Sequence, residues 1–190
     1  MRVASGTGLR LRAGLCVIVA LVLGCGASGA PSGAAAPGAR SYAEYAVAAC
    51  AALQSIWRGY GNPDTGGKSD MQRAFDDAVK AGDVATATVR AGEVKAEFER
   101  GRASAGVAAD WAPGTASMLQ VDRFLVALEA MVDARLAAVP AGYRLATDRG
   151  QAAFEATGGI DAWYGMLAGI DAASRAAGQP WPHCEGVPIG

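Results

Sequence analysis

The chain of 190 residues contains one histidine, His183, and that scarcity excludes much chemistry at once. A zinc protease of the His-Glu-x-x-His type needs two histidines, and so does a carboxylate-bridged metal bundle built from two Glu-x-x-His pairs. A Ser-His-Asp triad would have to draw its base from a proline-rich tail beside a cysteine. Basic surplus is also missing: 17 Lys and Arg stand against 18 Asp and Glu, with no basic cluster on one segment. The electrostatic footprint of a nucleic-acid binder is therefore absent. No stretch alternates apolar and polar residues as a half-buried strand does.

A run of roughly 20 apolar residues, the length that crosses a bilayer, is lacking too. The longest apolar stretch, Leu15 to Leu23, covers about half of that before Gly24 interrupts it. It follows Arg2, Arg10 and Arg12 with no acidic residue among them, which is the layout of a secretory signal. The run closes on Val22-Leu23-Gly24-Cys25. This tetrapeptide resembles the lipobox of bacterial lipoproteins, in which a cysteine thiol takes a diacylglycerol and the chain is cut just before it. The resemblance covers residues 1–25 alone. It implies that 1–24 is removed and that lipidated Cys25 anchors the protein outside the cytoplasm, on the cell membrane or the outer membrane. Several acyl chains hold where one is marginal, because each buried methylene contributes about 0.8 kcal/mol. The alternative is an ordinary signal cut at a small-residue site such as Ala34-Ala35-Ala36, which would release a soluble product.

Residues 25–40 carry Gly, Ala, Ser and Pro and almost nothing to bury, so they read as a flexible tether. Without residues 1–24, which hold three Arg and no acid, the chain keeps 14 basic against 18 acidic residues, a formal charge near −4. Residues 41–190 have the length of one domain.

Of four cysteines, Cys16 leaves with the leader and Cys25 takes the lipid. Cys50 and Cys184 remain, and in an oxidising compartment such a pair is expected as a disulfide. It would close a loop of about 134 residues, for which chain entropy gives roughly 5 kcal/mol as an upper figure, and would fasten the tail to the first helix. A metal site on His183 and Cys184 lacks further ligands. No metal and no cofactor are expected.

Helical periodicity dominates the rest. Ser41-Tyr42-Ala43-Glu44 forms a capping box, and Tyr42, Tyr45, Ala46, Ala49, Leu53, Ile56, Trp57 and Tyr60 draw one stripe to about Arg58. A second box, Ser69 with Gln72, opens a helix burying Met71, Phe75, Ala78 and Val79 and closing at Ala81-Gly82. Asp83 caps a third, with Val84, Ala87, Ala91, Val94 and Phe98 inward and Arg90, Glu93, Lys95, Glu97 and Glu99 outward. "GVAADWAPG" is expected as a loop. The fourth helix spans about Thr115 to Val139, on a stripe from Met118 to Val139, and Pro140 ends it. Thr147-Asp148 starts a last helical region with a break at Gly158-Gly159, beyond which Gly165 and Gly169 share a face open to close approach. The expected architecture is all-α: an antiparallel bundle of four to five main helices with an irregular, disulfide-tethered C-terminal tail.

"GYGNPDTGGKSD" nearly spells a phosphate-binding loop, but counting back from Gly67 puts Asn62 where the first glycine belongs, and a helix precedes it rather than a strand. Nucleotide binding is not expected. As a calcium loop it places Asn62, Asp64 and Asp70 correctly, yet the twelfth position is Arg73 instead of a bidentate glutamate. Glu93 with Glu97, and Glu129 with Asp133, put carboxylates one turn apart, and both pairs read as solvated helix faces.

Aromatics are the one suggestive group. Trp57, Tyr60, Trp163 and Trp181 would line an apolar ligand cleft if the disulfide drew the tail onto the first helix, although aromatics at helical spacing ordinarily fill a core. The reading is thus a membrane-anchored, non-catalytic interaction or structural module of the bacterial envelope, with an envelope protein as partner. Its alternative is a bundle that captures a small apolar molecule between helices.

Overall fold

The computed structural model describes residues 41–185 and is all-α, with six helices and one minimal hairpin. Helix α1 (Tyr42–Gly59) starts on Ser41, whose hydroxyl accepts from the Glu44 amide while the Glu44 carboxylate accepts from the Ser41 amide. The expected capping box is therefore complete. Tyr45, Ala49, Leu53 and Ile56 are fully buried along its inner stripe, with Tyr42, Trp57 and Tyr60 flanking it half-buried.

The segment after α1 is tighter than a loop. Gly61–Asn62 (β1) pairs antiparallel with Gly67–Lys68 (β2), so a strand ladder, unexpected from the sequence, occupies two residues on each side. The Asn62 side-chain oxygen accepts from the amides of Asp64 and Thr65 at 2.9 and 3.3 Å. Such an Asx contact turns the chain. Gly61 has φ +119°, and a Cβ there would lie 2.0 Å from the Gly67 carbonyl oxygen. Only glycine closes this hairpin.

Helix α2 (Asp70–Ala81) begins on Ser69, whose hydroxyl accepts from the Gln72 amide at 3.0 Å. Its second capping box is only half made: the Gln72 amide group turns inward to Asp76 instead of back to Ser69. Gly82, at φ +71°, ends α2, and Asp83 caps α3 (Val84–Ala109) through the Thr86 amide. Helix α3 runs through the first four residues of the stretch expected as a loop, because Ala105 and Ala108 continue the buried stripe. Val84 is exposed and Glu97 is buried, both the reverse of expectation. Glu97 is tolerated inside because Arg58 and Arg100 reach it at 3.3 and 2.5 Å.

A short 3-10 turn (Ala112–Gly114) leads into α4 (Thr115–Ala138), which buries Met118, Val121, Phe124, Leu125, Leu128, Met131 and Val132. Helix α5 (Tyr143–Ala156) starts four residues before Thr147, directly after Gly142 at φ +98°. Gly158, at φ +71°, separates it from α6 (Gly159–Ala176), so the last helical region forms two helices and the described residues hold six rather than four to five. Helix α4 packs against α3, α5 and α6, while α3 also covers α1 and α2. The close approach of α4 to α6 depends on glycine: a Cβ at Gly169 would sit 2.9 Å from the Ser117 Cα, and one at Gly165 would meet the Gln120 side chain at 3.2 Å. Cys50 and Cys184 form a disulfide across 134 residues, and Tyr42 adds hydrogen bonds to Ser174 and the Pro180 carbonyl. No described helix is long and apolar enough to cross a membrane.

Candidate functional site

Two clefts meet at Tyr60, the residue that caps α1. The first, about 260 Å3, is walled by Tyr60, Pro63, Phe124, Phe154, Ile160 and Trp163, with Asp64 and Tyr164 at its edge. Its rings are mutually supported. Trp163 packs on Phe124 at 5.1 Å between centroids and on Trp57 at 6.0 Å, and Phe124 meets the edge of Phe154 at 5.9 Å. The Trp163 indole donates its Nε1–H to Asp64 Oδ1 at 2.9 Å, tying α6 to the hairpin. Gly159 makes room for this wall, since a Cβ there would come within 2.3 Å of the Phe154 ring.

The four aromatics expected to line a cleft therefore divide. Tyr60 and Trp163 line it together. Trp57 lies behind Trp163, its Nε1 buried without a hydrogen-bond partner. Trp181 is half-buried against the core and outside this lining, and the ring contact of Trp57 is with Trp163 rather than Trp181. Sequence reasoning misses Phe124 and Phe154, because on a helical stripe a phenylalanine that walls a cleft is indistinguishable from one that fills a core. A separate aromatic group, Tyr42, Tyr45 and Trp111, with centroids 4.8–5.9 Å apart, packs at the start of α1. A shallow depression covers the disulfide, lined by Val47, Gln54, Pro182, His183 and Glu185 among others, with His183 exposed.

The second cleft, about 190 Å3, is lined by residues with polar or charged ends, Tyr60, Lys68, Gln72, Arg135, Tyr143, Thr147 and Gln151, together with Met131. Next to it lies Asp76, which accepts hydrogen bonds from Lys68 and from Gln72 at 3.0 Å and forms an ion pair with Arg135 at 2.5 Å. Burial pushes the Tyr60 hydroxyl above its usual pKa of 10.0, the charges of Lys68 and Arg135 pull it back, and Asp76 raises it again.

The paired carboxylates are already engaged. Lys95 reaches Glu129 at 3.6 Å and Asp133 at 2.9 Å, and Arg102 bridges Asp122 and Glu129. Among the described residues no three His, Cys, Asp or Glu side chains converge as a metal cage. Cys25 and the leader lie outside the described residues. No protein-family model, curated protein or solved structure matches the chain.

Proposed function

We propose that this chain is a lipoprotein of the bacterial envelope that captures a small apolar molecule without transforming it. Residues 1–24 direct export, Cys25 carries the lipid, 25–40 hold the domain off the membrane, and the helices form an antiparallel bundle with the tail bound back by Cys50–Cys184. Of the two readings that the sequence leaves, ligand capture has the stronger support in geometry. The observation that carries it is the aromatic cleft of Tyr60, Phe124, Phe154 and Trp163, walled by rings and edged by polar groups on Asp64, Tyr60 and Tyr164. Concave apolar walls with few polar points are what small-molecule sites share.

Native mass spectrometry of the full chain purified from membranes tests this: a co-purifying small molecule, lost in Trp163→Ala, supports capture, and a bare protein in every preparation opposes it. The lipoprotein part is tested separately by incorporation of labelled palmitate, abolished in Cys25→Ser. Ile160 and Tyr164 are exposed at 49% and 65%. Large apolar groups left in solvent at this rim favour the second reading, an interaction module with a protein partner. Site-specific crosslinking from Tyr164 in cells would trap that partner.

A further inference from the structure

The aromatic cleft carries a charge as well as rings. Among the described residues, Asp64 is the one carboxylate in its lining, and no Lys, Arg or His lines it. The carboxylate accepts the Trp163 indole N–H on Oδ1 at 2.9 Å, while its Oδ2 meets no described residue and Asp64 forms no ion pair among them. Lys68 and Arg135 line the neighbouring cleft, where Asp76 holds both. The lining of the aromatic cleft is therefore left with one negative charge that no cation balances.

The groups that define this cleft can be reached from solvent. Asp64 and Tyr164 are exposed, and Tyr60 and Phe154 are half-buried; only Phe124 and Trp163 are nearly closed off. The rings are inclined rather than stacked flat, with Phe124 at 82° to Phe154 and at 43° to Trp163. Inclined rings meet an occupant from several sides, the arrangement by which aromatic residues hold a cation against their electron-rich faces. Tryptophan is the best of these partners, and the anion on its N–H polarises the Trp163 ring toward more negative charge. A neutral apolar occupant would cover Asp64 with nothing to balance its charge, which costs desolvation. A cation recovers that cost. Walls of rings supply few oxygen acceptors, so the cation that suits them carries carbon rather than hydrogen on its nitrogen.

We infer that the cleft of Tyr60, Phe154, Trp163 and Tyr164 binds a small quaternary ammonium ion, its methyl groups against the rings and its charge balanced by Asp64. This ligand class rests on the reading of the cleft as a capture site and adds the charge of the captured molecule.

The test is an NMR titration of the full chain in a non-ionic detergent, following the Trp163 indole N–H. The probes are choline, its neutral isostere neohexyl alcohol with carbon in place of nitrogen, the primary amine ethanolamine, and glycerophosphocholine. Choline is expected to shift the signal and to bind about tenfold more tightly than the alcohol. Ethanolamine binds more weakly than choline. Asp64→Asn, which keeps an acceptor for the indole, weakens choline about fivefold and leaves the alcohol unchanged. Glycerophosphocholine binding above choline marks a lipid headgroup as the source of the cation, and the reverse marks a free ion; either result supports the assignment. The alcohol binding as tightly as choline overturns it while leaving apolar capture standing, and ethanolamine binding as tightly as choline overturns it as well. A Trp163 signal unmoved by every probe also overturns it, whereas a co-purifying molecule lost in Trp163→Ala would then still uphold capture. The comparison within the unaltered protein decides even if Asp64→Asn misfolds.

Discussion

The Trp163 indole and the Asp64 carboxylate, 99 residues apart, meet at 2.9 Å and bind α6 to the hairpin that follows α1. Asp64 is exposed and Trp163 is buried, so this contact closes one wall of the aromatic cleft at its border with solvent. Trp163→Phe removes the donor and also leaves part of the buried indole volume unfilled. It should cost about 1–3 kcal/mol in urea unfolding, the lost bond and the lost packing together. Asp64→Asn keeps an acceptor and should cost less than Asp64→Ala, which removes it; no difference between these two would show that the hydrogen bond contributes nothing.

The Cys50–Cys184 bond spans a sequence separation of 134 residues. Its reduction should lower stability by about 2–5 kcal/mol. Denaturant unfolding with and without reductant measures this. The Cys50→Ala, Cys184→Ala double variant should match the reduced protein and be insensitive to reductant.

Asp76 is the common partner of Lys68, Gln72 and Arg135, and Arg135 is itself buried. Asp76→Ala leaves a buried cation uncompensated and should cost about 3–5 kcal/mol. Lys95 is half-buried and contacts Glu129 and Asp133 near the surface. Lys95→Ala should cost no more than about 1 kcal/mol. Calorimetry of the two variants should rank them in that order by a wide margin.

Two helical glycines should respond in opposite directions. Gly169→Ala drives a methyl toward the Ser117 backbone. That clash should destabilise by about 1–3 kcal/mol. In α3, a Cβ at Gly92 meets no atom within 4 Å. Gly92→Ala should therefore stabilise by about 0.5–1 kcal/mol through helix propensity. Melting temperatures moving the same way would contradict the packing of α6 on α4.

Tyr45 is fully buried, and burial is the main cause that raises its hydroxyl above the usual 10.0; its bond with Ser117 opposes the rise and Tyr42 adds to it. The folded state therefore holds this proton more tightly than the unfolded chain. Its contribution is fully present below pH 10 and is lost as pH rises through the higher folded value. Stability should fall more steeply above pH 10 in the native protein than in Tyr45→Phe, as followed by circular dichroism across an alkaline series.

Helix existence was legible wherever caps and stripes coincided. Ser41 with Glu44, Asp83, and the Gly158-Gly159 break all act locally, through hydrogen bonds or backbone conformations complete within a few residues. The extension of α3 through Ala109 was not legible, because Gly106 and the alanines around it give a weak local signal and the buried contacts of Ala105 and Ala108 are what continue the helix. Gln72 shows the same limit: locally it suits a capping box, but its side-chain amide goes to Asp76, which pairs with the buried Arg135 of α4.

Residue type, short spacing and simple counting were enough for the helical character, for most of the caps, and for the pairing of Cys50 with Cys184. They were not enough to show that Tyr60 and Trp163 share a cleft while Trp181 stays outside it, that Glu97 is buried between two arginines, or that Gln72 and Arg135 keep unmet hydrogen bonds beside one cavity. Those features came from the three-dimensional arrangement. A helical stripe specifies which residues turn inward. Which of them meet depends on how distant helices pack, and no local spacing encodes that.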